Sequence, residues 1–201
     1  MARYTGPKHK LARREGINIL GKTSQSLERR INVLPGAMPG KRPRKTSEYG
    51  LQLREKQKLK RIYGLLEKQF KGYVELAQSK KTNTEEALVG LLESRLDNIV
   101  YRLGFAKSRN HARQLVSHRH VLVDGKKNNI PSYIVGVGQE ITLTKQMLEE
   151  VHVKEQLEME ESPLLPFVSR SKGTGKYLSM PDMNDVGNPI DYQLVVEFYS
   201  R

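Results

Sequence analysis

Apolar and aromatic residues recur at helical spacing after Ser47. The first set is Leu59, Ile62, Tyr63, Leu66 and Phe70, which share one helix face. Gly64 lies inside this pattern, and a glycine in that place favours a break. We therefore expect two helices here.

A second apolar stripe predicts a long buried helix. Asn83 or Thr84 starts it, because these residues cap helices and acidic residues follow in the first turn. Its members are Leu88, Leu91, Leu92, Leu96, Ile99 and Leu103. Gly104 then stands where a helix end prefers glycine. Another helix over 108–118 follows closely, so we expect a helical hairpin.

The pattern then changes from helical to strand-like. HVLVDGKKNNI (120–130) and SYIVGVGQEITL (132–143) contain strand-like runs separated by turn residues. Asp124 and Gly125 suit a type I′ hairpin turn. We expect a small antiparallel sheet packed on the helical hairpin, which makes the fold class α+β.

Three segments have weaker patterns. Residues 147–162 fit a strand, a helix or both, and SRSKGTGKYLSMP (169–181) indicates a loop with turns. In the last segment, PIDYQLVVEFYSR, the residues Ile190, Leu194 and Phe198 are four apart, which favours a helix. A strand fits this segment nearly as well, because it is rich in β-branched and aromatic residues.

Positive charge is concentrated in the first third of the chain. The 201 residues include 35 Lys and Arg and 22 Asp and Glu, for a net charge of +13. Residues 1–72 hold 19 basic and 5 acidic residues. Further on, residues 95–127 hold 8 basic and 2 acidic residues, whereas residues 140–161 hold 2 and 7. This distribution predicts a polyanionic partner, with nucleic acid first and an acidic membrane as the alternative.

The chain contains no cysteine, which excludes disulfides and cysteine-based zinc sites. The basic start, MARYTGPKHKLARREG, has no apolar run of the kind found in signal peptides. No stretch of sequence approaches the apolar length of a membrane span. We therefore expect a cytoplasmic protein.

Residues 1–46 are predicted to form a basic extended arm. Its basic clusters alternate with prolines and glycines, which prevent long helices. Few large apolar residues interrupt it, so we expect the arm to become ordered against its partner. A solvated, disordered tail is the alternative.

The helix at 108–118 is the clearest candidate for phosphate contacts. Arg109 and Arg113 are four apart and so share one helix face, with Lys107 and Ser117 near its ends. Backbone N–H groups after Ser108 add an anion site.

The hairpin after this helix adds Lys126 and Lys127 at its tip. A rigid basic helix with a basic hairpin suits a structured nucleic acid better than a splayed single strand. Proteins that bind single strands usually stack bases on aromatic rings, and no aromatic residue lies between Phe105 and Tyr133.

Other motifs do not support an active site. KGTGK (172–176) is similar to a P-loop, but Arg170 and Tyr177 replace its first glycine and its Ser or Thr. His118 and His120 are expected to point apart across the helix–strand junction, with no third metal ligand nearby. The acidic pairs indicate exposed charge. We expect no enzyme activity, no cofactor, no metal and no small-molecule substrate.

The run LLESRLDNIVYRLGFAKSRNHARQLVSHRHVLVDGKKNNIPSYIVGVGQEI, residues 91–141, resembles the RNA-binding domain named after bacterial small-subunit ribosomal protein S-four. The shared motif comprises RLD, RLGFA, ARQLV, a histidine, a hydrophobic strand with a DG turn, and IPSY. MARYTGPKHKLARREG, SEYGLQLREKQKLKRIYG and VVEFYSR resemble the ribosomal protein family itself. The resemblance therefore covers nearly the whole chain.

This resemblance implies a two-lobed fold: a helical lobe over 47–90 completed by 176–201, and an inserted RNA-binding domain over 91–175 with its core motif in 91–143. It implies a structural constituent of the small ribosomal subunit. Such a protein would bind a multi-helix junction of the small-subunit ribosomal RNA early and nucleate assembly of the subunit body.

In the family, the arm lies at the messenger RNA entry channel beside proteins S-three and S-five and contributes to translational accuracy. Together, the charge pattern and the resemblance predict RNA contacts at Arg3, Lys8, Lys10, Arg13, Arg14, Lys41, Arg42, Arg44, Lys45, Tyr49, Arg54, Lys56, Lys58, Arg61, Arg95, Lys107, Ser108, Arg109, Arg113, Gln114, Ser117, His118, Arg119, His120 and Lys126. The residues expected near the channel are Lys41, Arg42, Arg44 and Lys45.

The chain departs from the family in four places, one of which is Asp124, where the family frequently has asparagine. The loop PGAMPG (35–40) replaces a frequent PGQHG, the zinc-binding cysteines of some members are absent, and residues 177–188 lack the usual basic–acidic pattern.

Two rival functions stay open: an RNA-modifying enzyme that carries the same domain, and a helix-turn-helix DNA regulator that presents helix 108–118 to a major groove.

Overall fold

Most elements form where the apolar pattern indicates them. The structure is a computed structural model that describes residues 4–19, 24–36, 45–158, 164–171 and 173–200. The helices are α1 (Lys8–Glu15), α2 (Gln25–Glu28), α3 (Glu48–Ile62), α4 (Glu67–Gln78), α5 (Thr84–Glu93), α6 (Leu96–Arg102), α7 (Arg109–Ser117), α8 (Lys145–Leu148), α9 (Val151–Glu158), α10 (Met183–Val186) and α11 (Tyr192–Tyr199). The strands are β1 (Val121–Val123), β2 (Lys126–Asn128), β3 (Glu140–Leu143), β4 (Val168–Ser171) and β5 (Thr174–Tyr177).

The chain divides into two compact units. Unit 1 comprises Met1–Ser79 and Asn188–Arg201, and unit 2 comprises Lys80–Gly187. Helix α5 belongs to unit 2, whereas the resemblance places it in the helical lobe. This assignment follows from its packing, because α5 contacts α6 and α10 of unit 2.

The core of unit 1 is formed where α11 packs along α3 and α4. Its buried apolar residues include Leu59, Phe70, Val74, Ala77 and Val195. Gly64 has a φ of 64° and separates α3 from α4, which confirms the predicted break. The C-terminal segment is helical, because Asp191 caps α11 by accepting a hydrogen bond from the Leu194 N–H at 3.2 Å.

Glu67 joins the three helices of this core. Its carboxylate accepts hydrogen bonds from Lys56 at 2.6 Å, Lys60 at 2.7 Å and the Tyr199 hydroxyl at 2.7 Å. Partial burial alone would raise the pKa of Glu67, but these three donors together lower it to about 2. Burial, reinforced by the contact with Glu67, raises the pKa of the Tyr199 hydroxyl.

The depressed pKa of Glu67 predicts that unit 1 loses stability in acid. An unfolded glutamate has a pKa of about 4.3, so the contribution is complete above that value and is lost as the pH falls towards 2. The free-energy difference of urea unfolding between wild type and Glu67→Gln should therefore shrink between pH 5 and pH 2. Solvent limits its size, because the Glu67 side chain is 48% exposed.

A matched control for Glu67 lies in the same helix. Glu75 forms a 3.7 Å ion pair with Lys71, and both side chains are more than 60% exposed. We expect Glu75→Gln to change stability little at any pH in this range. An equally pH-dependent effect of both substitutions would contradict the assigned role of Glu67.

Part of the N-terminal arm folds against the chain itself. Residues 8–15 form α1, and its Ala12 is fully buried. Arg13 donates a hydrogen bond to the Val33 carbonyl at 2.9 Å, which joins α1 to the segment after α2. This part of the arm is therefore helical and packs on α3, whereas the sequence predicts an extended arm that becomes ordered against its partner.

Unit 2 contains a five-stranded antiparallel sheet in the order β2-β1-β3-β5-β4. Asp124 and Gly125 join β1 to β2 with φ angles of 48° and 76°, as a type I′ turn requires. The sheet and the helices confirm the α+β class.

The loop predicted over 169–181 is wrong for β4 and β5, which form a hairpin. Their strands are mostly polar, but Val168 and Tyr177 are buried beside the core. Gly175 lies so close to Leu103 that a Cβ there would collide with the Leu103 side chain. The glycine that suggests a turn instead permits close packing.

The single helix predicted over 84–103 is also wrong, because the chain breaks between α5 and α6. Arg95 is extended and pairs as a β-bridge with Ile134. The Leu96 N–H donates to the Tyr133 carbonyl at 2.8 Å, and the Val135 N–H donates to the Ser94 carbonyl at 2.8 Å. Distant residues thus satisfy the backbone groups at the break.

The ambiguous acidic segment contributes to α8 and α9, so the helical alternative is correct for residues 147–148 and 151–158. Across the described ranges, no helix combines the length and apolar character that crossing a membrane would require.

Candidate nucleic-acid interface

The candidate interface is built on α7 and the β1–β2 hairpin of unit 2. Helix α7 begins after Ser108, whose hydroxyl accepts a hydrogen bond from the His111 N–H at 3.3 Å. Ala112, Leu115 and Val116 are buried and fix the helix on the core. Ser108 itself is buried by this capping role, so its predicted contact through the side chain is not available in this conformation.

Four arginines and two carboxylates meet between α5, α6 and α7. We call this group the arginine cluster: Arg95, Arg102, Arg109 and Arg113 with Glu93 and Asp97. These six side chains carry four positive and two negative charges, so the group as defined is positive. Such a group can attract phosphate while remaining ordered.

Two bidentate ion pairs organise the arginine cluster. Arg95 donates to both oxygens of Asp97 at 3.0 and 2.7 Å, and Arg102 donates to both oxygens of Glu93 at 2.9 and 2.8 Å. The Asn98 side chain also donates to Glu93 at 2.6 Å. Both carboxylates are buried, so these pairs hold the guanidinium groups in fixed positions.

Arg109 and Arg113 are less exposed than the sequence predicts, with 19% and 15% of their side chains accessible. Arg109 donates to the side-chain amide oxygen of Asn98 at 2.8 Å and lies 4.7 Å from the Tyr101 ring centre. Arg113 lies 3.6 Å from an Asp97 oxygen. Both arginines are therefore pre-oriented at the edge of the cluster rather than extended into solvent.

The end of α7 adopts a Schellman motif that places Arg119 in a left-handed conformation. The His120 N–H donates to the Leu115 carbonyl at 3.0 Å, and the Arg119 N–H donates to the Val116 carbonyl at 2.9 Å. Arg119 has a φ of 64°, where glycine is usual. An exposed cation thus occupies a position that local structure would assign to glycine.

We expect Arg119→Gly to separate stability from binding. Glycine relieves the left-handed strain, so unfolding free energy should rise by about 0.5–1 kcal/mol, while affinity for structured RNA falls because a cation is lost. Thermal unfolding and RNA titration measure the two effects.

Arg119→Ala is the matched control. It removes the same charge but keeps the strain, so affinity should fall equally without a gain in stability. RNA affinity unchanged in both variants would contradict a role for Arg119 in binding.

The two histidines flanking Arg119 lie closer together than predicted. The ring centres of His118 and His120 are 6.1 Å apart, because the left-handed turn at Arg119 brings the chain back on itself. The expectation that they point apart is wrong. Within the described residues, no group of three or more His, Cys, Asp or Glu side chains could hold a metal ion.

The hairpin tip continues the basic surface. Lys126 and Lys127 are exposed, and they pair with Val123 and Leu122 of β1, the strand that follows α7. Asp124 holds the tip by accepting hydrogen bonds from the Glu140 N–H at 2.9 Å and the Gln139 side chain at 2.7 Å. These bonds lower the pKa of Asp124, so its carboxylate stays charged and bound at neutral pH.

The predicted contact residues differ in exposure. Those exposed are Lys8, Lys10, Arg14, Lys45, Tyr49, Lys107, Gln114, Ser117, His118, Arg119 and Lys126. Those partly buried are Arg13, Arg54, Lys58, Arg61, Arg109, Arg113 and His120. Those buried are Lys56, Arg95 and Ser108. Arg3, Lys41, Arg42 and Arg44 lie outside the described residues.

Lys56 and Arg95 are unsuited to direct contact in this structure. Lys56 pairs with Glu67 and lies 4.7 Å from the Phe198 ring centre, and Arg95 is fully buried against Asp97. Their side chains hold their units together in this conformation, and RNA contact by either one stays a prediction.

Sequence reasoning did not identify the residues that organise the cluster. Glu93, Asp97, Asn98 and Arg102 supply most of its hydrogen bonds. One signal was available, because Asp97 is one of only two acids among residues 95–127. An isolated acid in a basic stretch often pairs with its neighbours when buried.

Comparisons with known proteins identify the family of the chain. A family model described as "Ribosomal protein S4/S9 N-terminal domain" matches residues 3–93, and one described as "S4 domain" matches residues 94–141. The chain is similar to proteins named "Small ribosomal subunit protein uS4" from Delftia acidovorans (44% identical over 207 residues), Neisseria gonorrhoeae (47% over 207) and Halothermothrix orenii (46% over 210). Each alignment covers 100% of both chains. The resemblance seen in the sequence is confirmed, and the chain belongs to the small ribosomal subunit protein uS4 family.

Proposed function

We propose that this chain is a structural, non-enzymatic component of the small ribosomal subunit that binds ribosomal RNA. Unit 2 contributes the arginine cluster and the exposed cations of α7 and the hairpin. Unit 1 contributes the basic α1 and the exposed residues Lys45 and Tyr49. Its place in the cell is the ribosome.

The observation that carries the proposal is the positive arginine cluster inside the matched S4 domain. Its guanidinium groups are held by buried carboxylates before any ligand binds, so little side-chain entropy is lost when the partly exposed Arg102, Arg109 and Arg113 contact phosphate. Fixed cations recognise the shape of a phosphate backbone rather than a base sequence. A folded RNA, whose phosphates are also fixed, is the complementary partner.

The same geometry argues against a DNA-reading helix. A recognition helix needs extended side chains that reach base edges in the major groove. Here Arg109 and Arg113 are turned towards Asn98 and Asp97. Contact with a phosphate surface suits these partly buried side chains better.

The family resemblance supports finer roles. We propose that the chain binds a multi-helix junction of the small-subunit ribosomal RNA, nucleates assembly of the subunit body and contributes to translational accuracy. Residues 41–45 would lie near the messenger RNA entry channel, beside proteins S-five and S-three. Lys41, Arg42 and Arg44 of this stretch fall outside the described residues.

Competition binding tests the proposal. The full chain is titrated with a compact multi-helix junction of small-subunit ribosomal RNA, with an unstructured oligonucleotide of equal length and with duplex DNA. We expect at least about tenfold tighter binding to the compact junction at moderate salt, because phosphate geometry is matched only there. Equal affinity for the unstructured oligonucleotide would overturn recognition of folded RNA. A preference for duplex DNA would favour the alternative function of a helix-turn-helix DNA regulator.

A further inference from the structure

Helix α1 is too short and too cationic to be stable alone. Its eight residues, KHKLARRE, include Lys8, Lys10, Arg13 and Arg14 but one acid, Glu15. Isolated helices shorter than about 12 residues are marginal in water, and like charges weaken them further. Contacts with the rest of unit 1 must therefore hold α1 in place.

Glu15 occupies an unfavourable position in this helix. It is the last residue of α1, where the helix dipole favours cations over carboxylates. Its side chain is also fully buried, which is costly for a charge that is not paired. Local structure thus disfavours a glutamate here, and tertiary pairing is needed to explain it.

The partners of Glu15 lie on α3. Its Oε1 accepts hydrogen bonds from Arg61 and, at 3.4 Å, from Arg54. Its Oε2 is buried and has no hydrogen-bond partner among the residues that the structure describes. One turn earlier, Ala12 is fully buried. Glu15 and Ala12 therefore form the face by which α1 docks on α3.

The remaining surface of α1 is basic. Lys10 and Arg14 are four apart, so they share one helix face, and both are exposed. The packing of α1 on α3 therefore determines where this basic face lies.

We infer that Glu15 is a positioning residue for RNA binding. By pairing with Arg54 and Arg61, it holds α1 on α3 and presents Lys10 and Arg14 as a preformed phosphate-binding face. The inference rests on the RNA-binding function proposed above. The inference predicts an unusual direction for the change in RNA affinity. Removing an acid from an RNA-binding protein ordinarily strengthens RNA binding, whereas removing Glu15 should weaken it.

Hydrogen exchange of the free full-length protein tests the docking directly. In Glu15→Gln, the amides of α1 should exchange about tenfold faster, as expected for the loss of charge-assisted hydrogen bonds. Arg61→Gln should have the same effect on α1. Amides of α7 and α11 should be unchanged in both variants, which shows that the two units remain folded.

Glu28→Gln is the matched control. Glu28 is exposed at the end of α2, and its substitution changes the net charge by the same amount as Glu15→Gln. We expect Glu28→Gln to exchange like wild type and to bind the junction RNA at least as tightly.

The RNA measurement separates positioning from stability alone. Glu15→Gln should bind the junction about tenfold more weakly, with a shallower dependence of log affinity on log salt. The double substitution of Lys10 and Arg14 by glutamine should weaken the wild-type chain but have little further effect in Glu15→Gln.

The outcomes distinguish this inference from the proposed function. Unchanged exchange of α1 in Glu15→Gln, or RNA affinity equal to that of Glu28→Gln, would overturn the positioning role. Failure of the wild-type chain to bind the junction would instead overturn the proposed function, and the exchange data would still decide whether Glu15 docks α1.

Discussion

Replacing Glu93 with glutamine should destabilise unit 2 by about 3 kcal/mol. The Glu93 carboxylate is fully buried and receives both bonds of the Arg102 fork, together with the Asn98 amide. A neutral amide cannot accept this bidentate pair, so Arg102 would lose its counter-charge and Asn98 a strong acceptor. Urea unfolding, followed by exchange of α5 and α6 amides, measures the loss.

Glu86→Gln provides the comparison for Glu93. Glu86 is an exposed residue in the first turn of the same helix, where the helix dipole favours its charge. Its replacement should cost at most about 1 kcal/mol. A loss at Glu93 no larger than that at Glu86 would mean that the buried pair does not hold the arginine cluster together.

The elements with strong periodicity were predictable from the sequence. The break at Gly64, the start of α5 at Asn83 and the cap of α7 at Ser108 all follow from local rules. The β1–β2 hairpin follows from its Asp-Gly turn. In each case, the residues that decide the structure are neighbours in the chain.

The errors arise where distant contacts override a local pattern. The apolar stripe continues from Leu92 to Leu96, so periodicity alone predicts one helix. The break at Arg95 depends on backbone bonds from Ile134 and its neighbours, which the local sequence does not contain. Likewise, Gly175 suggests a turn, because the close approach of Leu103 is invisible in the sequence.

Only part of the candidate site could be predicted from the sequence, because distant contacts complete it. The position of α7 and its cations follows from spacing and charge. Their partners do not, because Glu93 and Asp97 lie on α5 and α6, and only the packed fold brings them to Arg102, Arg109 and Arg113. Sequence therefore indicates which residues are basic, whereas the fold decides which of them remain exposed.

For mutational tests of RNA binding, the exposed cations are therefore more informative than the partly buried arginines. Substituting Arg113 with glutamate, a natural test from the sequence, would place a second carboxylate beside Asp97 and so disturb folding as well as binding. Arg119, Lys126 and Lys127 are exposed, so they can be neutralised with little effect on the core.

The triple variant Arg119→Gln, Lys126→Gln, Lys127→Gln should bind the junction RNA about 100-fold more weakly at low salt. At about 1 kcal/mol for each solvent-exposed ion pair with a phosphate, three contacts account for a loss of this size. The slope of log affinity against log salt should fall by about 3, since each phosphate contact contributes about 1. Titrations at several salt concentrations measure both quantities.

A second triple variant tests whether position or total charge is responsible. Lys81, Lys154 and Lys176 are also exposed in unit 2, but none lies on α7 or on the β1–β2 hairpin. Their replacement by glutamine removes the same charge, so long-range attraction falls equally in both variants. If direct contacts dominate, the second variant should keep most of its affinity and nearly the full salt slope. Equal losses in the two variants would show that the α7 and hairpin surface has no special role and that net charge alone attracts the RNA.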